Sequence, residues 1–494
     1  MHTTRLLLHG RRAGCVALLA LVVSLTLTPA RPGSAQTGAR GAIPHTAVNP
    51  YGANVFLHNE VEAVKVTKTL DLAAGAHLGW IKQDFAWSDI EIDRKGDFTD
   101  RRNGAEKSAW DKYDAIVQQA ADRGLQIVAR VSFAPDWARE AGSPAKNNAP
   151  KNYGDLADFI VALLDHYKGR IGYVQVWNEP NLAYEWKAGG QVDPAAYTSM
   201  LKTVYPRAKA ADPNVTILSA PMAITLENLA TAGNLNELDY WDQMYKAGAK
   251  DYFDIVAANA YGLDLPPADP PAKDKLNFRR VELLHDVMVA NGDSNKAVWF
   301  NEYGWNAAPT TLTQAEQLHW RRVDPDTQAQ WTVGGIQYGL DHWPWSGVFF
   351  IWYLRQVGDI PADKAEYYFR LADPDFTVQP VYKAVRRAAG LYKGPGATAA
   401  GAGTPTAPTA APAGGDVPPP PAATATPAGA GGPAPTAAAA TATSAGGTVA
   451  PTAVTSAPVA DTGGSSPLPL ILGGLVLLAL LGGGAFLLTR RGRT

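Results

Sequence analysis

Residues 173–181 read Tyr173-Val174-Gln175-Val176-Trp177-Asn178-Glu179-Pro180-Asn181. The first four form an apolar run of strand length, bounded by turn residues. A second stretch repeats the design. There Ala297-Val298-Trp299-Phe300 runs into Asn301-Glu302-Tyr303-Gly304-Trp305. In each, a strand gives way to Asn-Glu, then to a breaker and an aromatic residue. One such Asn-Glu is usually a helix cap or a surface turn. Ionised carboxylates are costly to bury without partners, so two strand ends carrying them predict a pair of glutamates facing one cleft.

The segments around these two supply the frame. Strand-like runs are predicted at 54–58, 77–85, 125–133, 173–177, 215–220, 253–258, 297–300 and 347–352. Helical patterns follow at 61–74, 109–123, 153–166, 195–211, 238–247, 275–290, 327–339 and 380–391. Strict strand–helix alternation implies a parallel sheet with helical crossovers. Eight units between residues 44 and 393 predict an α/β fold of the TIM type, a (β/α)₈ barrel. An open doubly wound sheet would carry a glycine-rich phosphate loop after its first strand, and Leu57-His58-Asn59-Glu60 is not one. A barrel gathers all strand C-termini at one mouth. That places His58, Asn59, Glu60, Asp84, Trp87, Ser132, Pro135, Trp137, Asn178, Glu179, Tyr261, Glu302 and Trp352 around a common opening. Aromatic rings suit the apolar faces of sugars, and carboxylates and amides suit their hydroxyls.

Asn-Glu-Pro after strand four, with a second Glu after strand seven, resembles the clan A glycoside hydrolases, and most closely members of families 39 and 5. The likeness covers the whole barrel. It implies that Glu179 is the acid/base and Glu302 the nucleophile of a retaining glycosidase, with carboxyl groups about 5–5.5 Å apart. It implies that Asn178 bonds the hydroxyl beside the reacting carbon, that Tyr261 holds the nucleophile, and that Trp352 floors the sugar site. Asp84, Trp137 and Trp305 join these as candidate substrate contacts. The clan carries an arginine on strand two beside the nucleophile; this chain has Lys82 there, with Arg130 on strand three as the alternative. The expected substrate is an oligo- or polysaccharide, β-linked, and the chemistry calls for no metal or cofactor. A catalytically inert carbohydrate-binding barrel and a transglycosylase are the competing readings. Trp343 and Trp345 are either sugar platforms or packing, and the histidines show no metal-ligand spacing.

The flanks differ from the body. All 14 tryptophans lie between Trp80 and Trp352. Residues 1–35 read as an export signal, with Arg5, Arg11 and Arg12 ahead of an apolar stretch from Cys15 to Leu27. Cys15 is the single cysteine, so no disulfide or thiol chemistry is expected in the body. Residues 394–466 form an Ala/Pro/Thr/Gly-rich linker whose only charges are Asp416 and Asp461. Such a composition cannot bury enough apolar surface to offset its ordering entropy. Residues 467–489 form an uncharged apolar segment long enough to span a bilayer, and 490–494 a basic cytoplasmic tail. The expected location is the outer face of the cell membrane. Net charge is -2, which gives no basic footprint for a nucleic-acid partner.

Overall fold

A computed structural model describes residues 41–397, apart from 142, 144–146, 188–190, 315–319 and 358–360. The expected export signal, most of the linker, the apolar segment 467–489 and the basic tail lie outside the described residues. Eight parallel strands form the wall: β1 (Tyr51–Val55), β2 (Trp80–Ala86), β3 (Gln126–Ser132), β4 (Tyr173–Val176), β5 (Thr216–Leu218), β6 (Val256–Tyr261), β7 (Val298–Gly304) and β8 (Ser346–Ile351). They pair in the order β5-β4-β3-β2-β1-β8-β7-β6. A parallel bridge between Leu218 and Ile255 joins the two ends and closes the barrel.

Eight helices follow the strands in turn: α1 (Ala63–Gly75), α2 (Asp111–Ala121), α3 (Tyr153–His166), α4 (Pro194–Ala211), α5 (Glu237–Lys246), α6 (Val281–Ala290), α7 (Pro325–His342) and α8 (Pro380–Leu391). Their starts are written locally. Asn152, Asp193, Asn236 and Asp324 each accept a backbone N–H of the first turn, and Pro194 and Pro325 occupy first-turn positions where no N–H is needed. Apolar faces then seat the helices on the wall; in α3 these are Leu156, Phe159, Ile160, Leu163 and Leu164.

Of the boundaries that differ from the sequence reading, three bear on the site. The first strand starts and ends three residues early, which leaves His58, Asn59 and Glu60 on or just after a 3-10 turn. Strand six runs on to Tyr261, and strand seven continues through Glu302 to Gly304. A two-stranded antiparallel ribbon, Thr99–Asp100 with Lys107–Ser108, also decorates the β2–α2 connection.

The barrel interior changes character along its axis. Its lower end is an apolar plug of Trp80, Val128, Leu218, Ile255, Trp299, Val348 and Phe350. The segment before β1 seals it, with Ile43 and Val48 packed on the plug and the His45 carbonyl accepting from Trp299 Nε1 at 3.0 Å. Above the plug the inward side chains turn polar: Asn54, Lys82, Arg130, Gln175 and Asn301 are all buried.

One irregularity positions the site. Ala258 pairs with Phe300, but the next residue, Asn259, pairs with Glu302. Against β8, Phe300 pairs with Phe349 and Tyr303 with Ile351. Between Phe300 and Tyr303, β7 therefore carries one residue more than either neighbour. Phe300 faces the helix layer, stacked on Phe349 at 3.9 Å. Regular alternation would send Glu302 the same way. The inserted residue re-aims Glu302 into the mouth.

Candidate active site

The Trp-Asn-Glu-Pro-Asn stretch divides into anchors and presented groups. Trp177 is buried, and its Nε1 donates to the Glu185 carbonyl at 3.0 Å. Asn181 donates to the carbonyls of Ala223 at 2.9 Å and Leu235 at 2.8 Å and accepts from Ala223 N, tying the β4 loop to the β5 loop. Between these anchors the backbone is strained. Trp177 has φ 74° and Glu179 φ 40°, in the left-handed region that L-residues rarely adopt. Asn178 and Glu179 are thereby set at the mouth instead of continuing the strand.

Glu179 and Glu302 meet there, 5% and 2% exposed. One side chain joins them. Asn259 Nδ2 lies 2.6 Å from Glu179 Oε1 and 3.4 Å from Glu302 Oε2. The two oxygens can be no further apart than those distances together, about 6 Å. Tyr261 donates its hydroxyl to Glu302 Oε2 at 2.8 Å. The other Glu302 oxygen faces Lys82 Nζ at 3.7 Å.

These surroundings separate the two carboxyl groups. Burial pushes the Glu179 carboxyl well above the usual carboxylate range, and the charges of Glu302 and Glu185 push it further. Glu302 instead has a cation and two hydrogen-bond donors. Lys82 is fully enclosed; burial pushes its ammonium down to about 8, against the opposing pull of Glu302. Lys82 therefore faces Glu302 directly, whereas Arg130 pairs with Asp84, Nε to Oδ1 3.4 Å. A third glutamate, Glu185, is buried beside the pair. Burial pushes it up to about 7, and Asn147 Nδ2 donates to it at 3.3 Å.

Buried polar groups normally find hydrogen-bond partners. Around this mouth and the polar layer beneath it several have none within the protein: both ends of the Asn178 amide, Lys82 Nζ, Ser132 Oγ, Gln175 Oε1, Asn301 Nδ2 and Glu302 Oε1. Asn178 is only 1% exposed. Donors and acceptors left over at one place fit a ligand rich in hydroxyl groups. Among the described residues, no group of three or more His, Cys, Asp or Glu side chains is placed to hold a metal ion.

The aromatic candidates fall in different places. Trp352, at the end of β8, packs in a cluster with Tyr261, Tyr353 and Phe369, with Phe56 edge-on at 5.4 Å. It belongs to the mouth. Trp137 is half-buried, edge-on to Trp87, with Nε1 donating to the Glu91 carbonyl at 3.0 Å. No contact joins it to the glutamate pair. Trp305 is a correction. It is 1% exposed and sits between the wall and α7, against Tyr303, Phe278 and Trp331, with Nε1 bonded to the Leu265 carbonyl at 2.8 Å. Its ring is part of the packing and cannot face a ligand. Trp343 and Trp345 are likewise buried, stacked on each other at 5.0 Å and on Phe300. Glu60 is held by Arg355 and Thr69 lies on the same guanidinium.

Two members of the site escaped the sequence reading. Asn259 is an amide inside the apolar run Val256-Ala257-Ala258-Asn259-Ala260, a visible signal lost because that strand was expected to end at Ala258. Glu185 follows Glu179 by six residues on a short helix, Ala183–Trp186, and carried no sequence signal of its own.

No protein-family model matches the chain, and no curated protein resembles it in sequence. Solved structures share its architecture. The chain matches a family 39 glycoside hydrolase from the gut symbiont Bacteroides cellulosilyticus WH2 at a TM-score of 0.51 and 20% identity, over 70% of this chain and 64% of that one. The chain thus spans less than two thirds of that enzyme. The GH39 enzyme from Xanthomonas axonopodis pv. citri matches at 0.50 and 15% identity, over 72% and 68%. GH5_18 from Streptomyces cattleya, solved in complex with GlcNAc, matches at 0.50 and 16% identity, over 69% and 79%. What this chain shares with these family 39 and family 5 structures is the barrel.

Proposed function

We propose that the protein is a retaining glycoside hydrolase acting on β-linked oligo- or polysaccharides, displayed on the outer face of the cell membrane. The observation that carries the reading is the Glu179–Asn259–Glu302 bridge. Two carboxyl groups share one amide nitrogen, and burial raises the proton affinity of Glu179. A buried carboxyl that keeps its proton suits the role of acid. Glu179, with its raised affinity, protonates the departing oxygen. Glu302, flanked by Lys82 and Tyr261, attacks the anomeric carbon and forms a glycosyl ester. Glu179, now ionised, takes a proton from water as water cleaves that ester. A separation of at most about 6 Å between these two oxygens suits direct attack and is tight for a water held between the carboxylates, which inverting enzymes accommodate at about 6.5–9.5 Å. The unpartnered Asn178 amide and the Trp352 ring supply hydroxyl and ring-face contacts. The barrel shared with family 39 and family 5 enzymes supports the same reading by analogy of fold alone.

Single substitutions test it on activated aryl β-glycosides. Glu302→Ala should lose turnover, because no other group is placed to form the ester. Glu179→Ala should still form the ester with a good leaving group but hydrolyse it slowly. Azide should then restore turnover and yield a β-glycosyl azide, whereas azide with Glu302→Ala should yield the α product. A wild-type protein that binds sugars and cleaves none across a broad panel is an inert binding barrel. Full activity in either alanine variant means other residues carry the reaction.

A further inference from the structure

We infer that Asn259 is a positioning residue that selects the working oxygen of each catalytic carboxyl group: Oε2 of Glu179 for the proton, and Oε1 of Glu302 for attack. The inference rests on the acid and nucleophile assigned above and adds what they leave open, which atoms react.

The geometry is specific. Asn259 is buried on β6 at the point where the β6–β7 register slips. Its Nδ2 reaches Glu179 Oε1 at 2.6 Å and Glu302 Oε2 at 3.4 Å, while its Oδ1 has no hydrogen-bond partner. An amide nitrogen carries two hydrogens and accepts nothing. Reversing the amide would set a carbonyl oxygen against an ionised carboxylate, so the nitrogen faces the pair. An oxygen that accepts this N–H cannot also carry a proton pointing at it. Neutral Glu179 is therefore protonated on Oε2. On Glu302, Oε2 is occupied by Tyr261 as well as by Asn259. Oε1 has only Lys82, 3.7 Å away, and no hydrogen bond. Its lone pairs are the ones free to attack.

The bonds balance through both steps. Glu302 Oε1 bonds to the anomeric carbon as the bond to the leaving oxygen breaks. That electron pair goes to the leaving oxygen, which takes the proton from Glu179 Oε2. In the second step water gives a proton to Glu179 Oε2 and its oxygen bonds to the anomeric carbon, while the ester electrons return to Glu302 Oε1. The Asn259 N–H stays on Glu179 Oε1 throughout, so acid and base are the same atom. Because that N–H bonds the ionised form best, its loss must raise the proton affinity of Glu179.

Two variants and one wild-type measurement test this. Asn259→Leu keeps the approximate volume and removes the donors; Asn259→Ala removes the side chain. Each should lose roughly 100-fold in kcat on aryl glycosides, the scale of a misplaced reacting group. In Asn259→Ala the alkaline limb of the kcat/KM–pH profile should move up, which a packing defect would not cause. The ¹³C carboxyl signal of Glu179 should titrate at higher pH in that variant. In the wild type, the Asn259 side-chain amide protons should shift with the Glu179 titration. The two NMR readouts need no substrate, so they stand even if the protein cleaves no glycoside. Wild-type kcat in Asn259→Leu, or amide shifts that stay flat while Glu179 titrates, overturns the inference.

Discussion

Glu185 illustrates how far a single buried carboxyl can shape this mouth. Glu179, Glu302, Glu185 and Asp84 share the region with two cations among the described residues, Lys82 and Arg130. All six cannot be ionised cheaply in a place shielded from water, so at least one acid stays protonated. Glu179 holds the highest affinity, and Glu185 is the next reservoir. Its carboxyl is raised from 4.5 to about 7. Between those values the folded protein keeps a proton that the unfolded chain has released. Stability therefore falls as pH rises through that window, and the full cost is present above pH 7. Glu185→Gln keeps an oxygen for Asn147 and removes the titration. The variant should match the wild type at pH 4 and exceed it at pH 8 by up to roughly 3 kcal/mol. Thermal melting at the two pH values checks it; a gap that does not change with pH would mean Glu185 is not a buried titrating group.

At the scale of elements, β7 decides which aromatic residues can touch a ligand. The eight-fold alternation was legible because each strand is an apolar run and four of the eight helices start at a side-chain cap. Glu179 and Glu302 were legible because a carboxylate at a strand end breaks that pattern. The insertion at Asn301 was not, since a bulge depends on pairing with two neighbours that a single run of sequence does not contain. For that reason Trp305 read as a mouth residue, although the continuation of β7 turns it toward α7. The same blindness to pairing hid Asn259, and strands as short as Thr99–Asp100 leave no period to detect. The placement predicts opposite phenotypes for two tryptophans. Trp305→Ala empties a buried site and should destabilise the protein by about 3–5 kcal/mol, while the folded fraction keeps near wild-type kcat. Trp352→Ala should lower kcat/KM at temperatures where the protein is fully folded. Melting curves beside kinetics on the folded protein separate the two, and a Trp305→Ala variant of normal stability would place that ring wrongly.

Across the whole molecule, the two ends of the barrel have different tasks. The mouth carries the polar pair, and the opposite end is closed by the apolar plug and the segment before β1. The last helix, α8, runs back toward that closed end. Its Gly390 lies against the ring of His77, in the turn between α1 and β2. The described body therefore ends on the face away from the mouth. All eight strands are paired on both sides. Because the chain leaves the described body on the face away from the mouth, an anchor further along it is not joined beside the mouth. If residues 467–489 are that anchor, deleting 467–494 should move the protein from the membrane fraction to the medium. Because the described residues close the barrel among themselves, kcat and melting temperature should stay at their wild-type values. Fractionation and melting of the truncated chain decide the matter. Retention in the membrane would put the anchor elsewhere, with the apolar stretch from Cys15 to Leu27 as the next place to cut. A lower melting temperature would mean that the tail packs on the barrel after all.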